Sequence, residues 1–313
     1  MEKIPMRDGY GNGLLKMCGE DRNIMVLDAD VSKSTRTNWV AQQYPDHFLN
    51  IGISEQDMIG TAAGLALSGI VTYTSTYCVF LCGRAWDQIR TTVCYNNLNV
   101  KLGGAHAGIS VGPDGATHQS LEDIALMRVL PNMTVIAPCD SVETEKATIA
   151  VADRPGPCFL RFGREAVPVI TDADSPFEIG RANVLREGRD AAVFAIGPEV
   201  YQALEAARIL DAQGIHITVV NMHTIKPLDG ACIEKYAALC GCIVTAEEHQ
   251  INGGFGSAVA EYTALHCPVP IEMVGVRDSF GESGTPDELM EKYHLIAPDI
   301  VQAVRAAIAR RRG

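Results

Sequence analysis

Two stretches of the sequence put chemically capable side chains where neither a core nor a surface pattern explains them. In Ile51-Gly52-Ile53-Ser54-Glu55-Gln56 an extended, β-branched run passes straight into a helical period. On spacing alone, Ser54 is a helix N-cap and Glu55 a first-turn carboxylate suited to the helix dipole, with Asp57 at capping-box distance. The functional alternative is a carboxyl at the C-terminal end of a parallel strand, where α/β sheets bind ligands. The second stretch, His106 to His118, carries two imidazoles, Asp114 and the turns AGIS and VGPDGA, with almost no apolar period. Loops of this kind inside a compact domain are usually functional or disordered. Two His and one Asp could ligate a metal, but no further ligand follows at standard spacing. Polar groups that grip a substrate are the preferred reading.

Both stretches need a rigid frame, and the sequence predicts one. Short β-branched runs alternate with longer helical segments, the pattern of an α/β fold with mostly parallel sheets. The runs NIMVLDAD, HFLNIGI, IVTYTS, VKLGGA, TVIAPC and CFLRF read as strands, with helices in GYGNGLLKMCGED, SEQDMIGTAAGLALSG, GRAWDQIRTTVCYN and LEDIALMRVL. Between 171 and 190 the composition turns polar, and the alternation then restarts with DAAVFAIG, IHITVVNM, GCIVTAEE and IEMVGV. We therefore expect two three-layer α/β/α domains, 1–172 and 191–313, joined by a linker at 173–190.

Composition excludes several functions. The 313 residues are 47% hydrophobic and carry 26 Lys+Arg against 38 Asp+Glu, a net charge of −12. A nucleic-acid or anionic-membrane binder is expected to show a basic face instead. No apolar run approaches the roughly 18 residues of a spanning helix, and MEKIPMRDGYG has no hydrophobic signal region, so a cytoplasmic location is expected. The 10 cysteines include no CxxC pair and read as small, reduced core residues.

At these residues the chain resembles a known family. GISEQDMIGTAAGLALSG, GRAWDQIR, HAGISVGPDGATHQSLEDIALMRVLPNMTVIAP and FLRFGREAVPV resemble the pyrimidine-binding domain of transketolase. NMHTIKPLD, TAEEH, GGFGSAV and FGESGTPDEL are similar to its C-terminal domain. The GDG segment with which the other half of a transketolase holds magnesium and the cofactor diphosphate does not occur here. The resemblance thus implies the C-terminal subunit of a split, two-chain enzyme.

That subunit would use thiamine diphosphate, with magnesium (or calcium) bound mainly by a separate N-terminal partner in an α2β2 heterotetramer. No nucleic acid and no membrane would be involved. The resemblance gives Glu55 the hydrogen bond to the aminopyrimidine ring, and Tyr77 and Phe80 the aromatic wall around it, with Gly83 where the family has a third aromatic. It assigns Arg7, Ser34, His106 and Arg164 to the terminal phosphate of a sugar, Asp114 to a substrate hydroxyl, and His118, with His106, to the reacting region. Arg suits such an anion because its planar fork donates two parallel bonds. The alternatives are a deoxyxylulose-phosphate synthase-like subunit, a subunit acting on a sulfonated sugar, and a non-catalytic assembly subunit. The DGATHQ loop and the anion set argue against a 2-oxo acid dehydrogenase β-subunit.

Overall fold

A computed structural model of the chain describes residues 1–312. The strands of the first half are β1 (Lys3–Pro5), β2 (Ile24–Asp28), β3 (Phe48–Asn50), β4 (Val71–Tyr77), β5 (Val100–Ala105), β6 (Thr134–Ile136), β7 (Cys158–Arg161) and β8 (Ala166–Pro168). Those of the second half are β9 (Asn183–Arg186), β10 (Ala192–Ala195), β11 (Thr218–Asn221), β12 (Thr224–Lys226), β13 (Ile243–Gln250) and β14 (Ile271–Val276). One sheet has the order β12-β6-β7-β5-β4-β2-β3, the other β14-β13-β10-β11-β9. Both are parallel except at one edge, where β12 runs antiparallel to β6 and β9 antiparallel to β11. β1 and β8 form a separate antiparallel ribbon.

The strands read as apolar runs because helices cover both faces of each parallel sheet. Neighbouring residues of one strand enter different cores, as side-chain alternation requires. Leu27 and Phe159 join the cluster around Met58, Ile59 and Leu81, whereas Val26 and Leu160 join the one around Met6, Tyr10 and Leu14. The first of these clusters continues into the second half through Phe194, Val220 and Ile243. The two sheets therefore share buried surface.

Several local features differ from expectation. The segment 83–96 is not one helix: it takes in the end of Cys78–Arg84, then Trp86–Gln88 and a π-helical turn, Ile89–Cys94. Ala85, fully buried, leaves helical geometry at φ −102°, ψ 12°, and the Trp86 indole N–H donates to Leu126 O at 3.0 Å. An unexpected helix spans Ser141–Ala152. Its buried face is built from Thr144, Ala147, Thr148 and Val151, with the hydroxyls satisfied by carbonyls one turn back, so its sequence lacks an obvious apolar stripe. Within the stretch expected as a linker, β9 is hydrogen-bonded into the second sheet.

The helix Met6–Gly19 lies directly against Ser141–Ala152, and glycine permits the approach. A Cβ on Gly9 would fall 1.9 Å from Ser141 O, a backbone atom that cannot yield without moving the helix. Gly9→Ala is expected to destabilise the chain by about 1–3 kcal/mol, the usual cost of overpacking, and to lower the thermal midpoint measured by calorimetry or circular dichroism.

Candidate active site

Every candidate residue follows, or stands at, the C-terminal end of a strand in the seven-stranded sheet, apart from Arg7 in the first helix. β2 leads to Ser34, β3 to Glu55 and β5 to His106, β4 ends on Tyr77, and β7 leads to Arg164. In an open α/β sheet this edge is where ligands bind. Because the strands are parallel neighbours, residues far apart in sequence meet there.

Glu55 is the first residue of the helix Glu55–Leu67 and is buried. Its Oε2 accepts from Arg84 Nη1 at 2.8 Å, and among the described residues no hydrogen bond reaches Oε1. Ser54 occupies the N-cap position, but its side chain caps nothing, and exposed Asp57 makes no capping box. The capping expectation is corrected accordingly: a residue at φ −152°, ψ 72° does not aim its hydroxyl at the first amides.

From Glu55 a continuous line of contacts crosses the site. The Arg84 guanidinium lies 4.6 Å over the Phe80 ring, and Phe80 meets His118 edge-on at 5.2 Å. Tyr77 packs at 4.3 Å from His106 and 5.9 Å from His118, and its hydroxyl donates to Ser34 Oγ at 3.1 Å. Tyr77 and Phe80 are half-buried, so the pair is not sealed in a core. A Cβ on Gly83 would meet nothing within 4 Å, leaving open space beside Phe80 and Arg84. A buried carboxyl, a partial aromatic wall and open volume fit a planar aminopyrimidine.

The other end of the line is cationic. Arg7 Nη1 donates to Ser34 O at 3.3 Å, and among the described residues no carboxylate pairs with it. Arg36 is engaged by Asp8 at 2.6 Å, and Arg164 lies 3.7 Å from both Asp114 and Glu165 while donating to Val111 O at 2.8 Å. Ser34 sits in a short helix, Ser32–Thr35. Buried Asp28 shapes that segment by accepting from Val31 N, Thr35 Oγ1 and Thr37 Oγ1 at 2.7–2.8 Å.

The loop between the two histidines is partly internal. Ile109–Asp114 forms a 3₁₀ turn broken at Gly112, with Ile109 and Val111 fully buried beneath it. Gln119 pins it by donating from Nε2 to Ile109 O and to Glu282 O of the second half, at 3.1 and 2.9 Å. Two residues that sequence reasoning left unassigned thus matter here. Arg84 lies inside the GRAWDQIR motif, and Asp28 directly precedes the polar segment of Ser34.

His106 is nearly sealed, takes a left-handed backbone at φ +57°, and leaves its Nδ1 buried without a partner. Burial, reinforced by Arg7 and Arg164, pushes its pKa down to about 3. The ring is therefore neutral near pH 7 and can both donate and accept. Among the described residues no group of three or more His, Cys, Asp or Glu is placed to hold a metal ion. All 10 cysteines are free, and among the described residues no helix is long and apolar enough to cross a membrane.

The neutral ring has a consequence for acid stability. The unfolded chain binds a proton on His106 below about pH 6.5 while the folded chain does not until near pH 3. Stability therefore falls as pH drops through that window, by about 2 kcal/mol between pH 7 and pH 5 from this ring alone. Denaturant titrations are expected to show a shallower pH slope for His106→Gln. The His106 ring signals in NMR are expected to stay unshifted from pH 8 to pH 5.

Known proteins share this order of domains. Residues 2–169 match the family model for the transketolase pyrimidine-binding domain, and 180–300 that for the transketolase C-terminal domain. The chain is 40% identical over 311 residues to a 6-deoxy-6-sulfo-D-fructose transketolase subunit of Clostridium sp., covering 99% of this chain and 97% of that one. It is 36% identical over 293 residues to an apulose-4-phosphate transketolase subunit of Phocaeicola vulgatus, covering 93% and 94%. A solved structure described as a split gene transketolase, inactive beta4 tetramer, superposes with a TM-score of 0.91 at 45% identity, covering 99% of each chain. Two sheets in the family's order of domains, and relatives matched over nearly their full length, make this chain a member of the transketolase family, of the split kind in which the C-terminal section is a separate polypeptide.

Proposed function

We propose that this chain is the catalytic C-terminal subunit of a two-chain transferase that moves a two-carbon ketol unit between sugar phosphates. The observation that carries the reading is the line of contacts from buried Glu55 through Arg84, Phe80, His118 and Tyr77, which touches His106 and Ser34, to Arg7. A carboxyl end and a cationic end then lie along one sheet edge, as transfer between phosphorylated sugars requires. Bound between two chains, thiamine diphosphate supplies the nucleophilic carbon and the electron sink for breaking and forming the carbon–carbon bond. In this chain Glu55 would hold the shared proton at the pyrimidine ring nitrogen, with Tyr77 and Phe80 walling the ring. Arg84, fixed on Phe80, keeps the Glu55 carboxyl oriented.

On the substrate side, Arg7, Ser34, His106 and Arg164 would hold the terminal anion, Asp114 a hydroxyl, and His118 the region of the reacting carbons. Neutral His106 can donate to an anion oxygen while its other nitrogen stays an acceptor. The diphosphate and the divalent metal belong to the N-terminal partner, in an α2β2 assembly. The superposable split transketolase is inactive as a beta4 tetramer, which supports a subunit that needs its partner. A second reading changes only the anion: the sulfofructose relative supports a terminal sulfonate in place of a phosphate. Both present oxygens to the same arginine forks.

The experiment that tests the proposal mixes the chain with its N-terminal partner, thiamine diphosphate and magnesium. Ketol transfer is expected from the mixture and from neither chain alone; robust transfer by the single chain would overturn the shared-site reading. An inactive mixture across phosphorylated and sulfonated ketoses would favour an assembly subunit. In the active mixture, Glu55→Gln is expected to lower kcat about 10²–10⁴-fold with the fold unchanged, since an amide cannot share the proton.

The anion cluster gives a finer measurement. Arg7→Ala is expected to raise KM for a charged ketose about ten- to a hundredfold, the loss of roughly 1.5–3 kcal/mol for a bond to a charged group. An uncharged ketol donor is expected to lose far less. Arg164→Ala is expected to have the smaller effect, because Asp114 and Glu165 already compete for that guanidinium. Equal losses on charged and uncharged donors would make both arginines structural.

A further inference from the structure

None of the proposed substrate or cofactor contacts comes from the second half of the chain, yet one of its carboxyls lies directly under the loop that provides several of them. Glu248, in β13, is 1% exposed. Its Oε1 accepts from the Ser110 backbone N–H at 2.5 Å. The contact is possible only because position 108 is glycine: a Cβ there would lie 2.3 Å from Oε1, and the backbone is at φ +89°. The backbone of Glu248 is itself clamped, its carbonyl accepting from Arg161 Nη2 at 2.7 Å.

The turn so held joins the two ends of the site. Gly108 begins two residues after His106, the 3₁₀ turn ends on Asp114, and Val111 O at its middle accepts from Arg164. Gly108 N donates to Ser120 O and Gln119 binds Ile109 O, so the loop is tied to its own stem, and among the described residues Glu248 is the one carboxyl tying it to the second sheet. Glu248 Oε2 is buried with no partner, and burial raises the pKa of the carboxyl. A buried acceptor this incompletely satisfied carries a desolvation cost that the rest of the fold must offset.

We propose that Glu248 is a positioning residue, whose carboxyl fixes the Gly108–Val111 turn and thereby sets His106 and Asp114 against Tyr77 and Arg164. It acts through the backbone and touches neither substrate nor cofactor. On this view the C-terminal domain is the floor of the site. The inference rests on the site assignment above for its catalytic consequence, and on the hydrogen bond alone for its structural one.

The test uses the full chain carrying Glu248→Ala or Glu248→Gln. In the chain by itself, hydrogen-exchange mass spectrometry is expected to show exchange across 108–112 about ten- to a hundredfold faster in Glu248→Ala, with β10 unchanged. Glu248→Gln, which keeps an acceptor oxygen for Ser110, is expected to restore slow exchange. In the assembly with the N-terminal partner, Glu248→Ala is expected to lower kcat about tenfold or more while thiamine diphosphate affinity stays within about threefold, and Gln to recover most of kcat. Unchanged exchange at 108–112 in Glu248→Ala would overturn the proposal. So would faster exchange with unaltered kcat, or a parallel loss of kcat, cofactor affinity and β10 protection, which is general destabilisation. An inactive wild-type assembly would overturn the transketolase reading, and the exchange result would then decide the role of Glu248 by itself.

Discussion

A guanidinium sealed away from water between the two sheets is the contact on which the rest of the site depends. Arg161, at the end of β7, is 4% exposed and its Nε meets Asp123 Oδ2 at 2.7 Å, with Asp123 fully buried at the head of a short helix. Burial alone would raise the Asp123 pKa, but the adjacent Arg161 holds it below the ordinary carboxylate range. His249 supports the same seam: Nδ1 faces the Gln250 carbonyl and Nε2 accepts from Ile124 N–H, as a neutral ring can. Breaking a buried pair of this kind by removing one partner typically costs about 3–5 kcal/mol, because the other charge is left stranded. Three residues after Arg161 comes Arg164, so this seam fixes where the cationic end of the candidate site begins.

The electrostatics of the groove are local rather than global. A chain of net charge −12 concentrates Arg7, Arg36 and Arg164 at one sheet edge, then partly neutralises them with Asp8, Asp114 and Glu165. Of these three, Arg7 alone keeps its charge unshared among the described residues. Positive charge gathered locally in this way would suit an anion without making the surface generally basic. His106 is neutral mainly because it is buried, and a further positive charge beside Arg7 and Arg164 would add to the cost.

The frame was readable from sequence because parallel strands buried on both faces leave continuous apolar runs, as in IMVLD and CFLR. The candidate residues were readable as a set because strands that neighbour one another in space each end in a recognisable motif. What escaped reading depended on long-range partners. Nothing local shows that Arg84 reaches back 29 positions to Glu55, or that Glu248 reaches 138 positions to Ser110. The helix Ser141–Ala152 escaped because threonines and alanines fill its inner face, and three-residue strands such as β1, β8 and β12 are too short to carry a period.

The edge strand β12 limits how the molecule can be divided. It comes from the second half of the chain but completes the sheet of the first, antiparallel to β6, with Lys226 Nζ donating to Arg128 O and Leu130 O. A polypeptide cut after residue 172 would therefore keep every proposed contact group of the groove while exposing Thr134–Ile136 as a bare row of amides and carbonyls. Unprotected strand edges recruit other strands. The border between the halves thus lies across a shared sheet, and separating them by protein engineering would trade a folding unit for a sticky one.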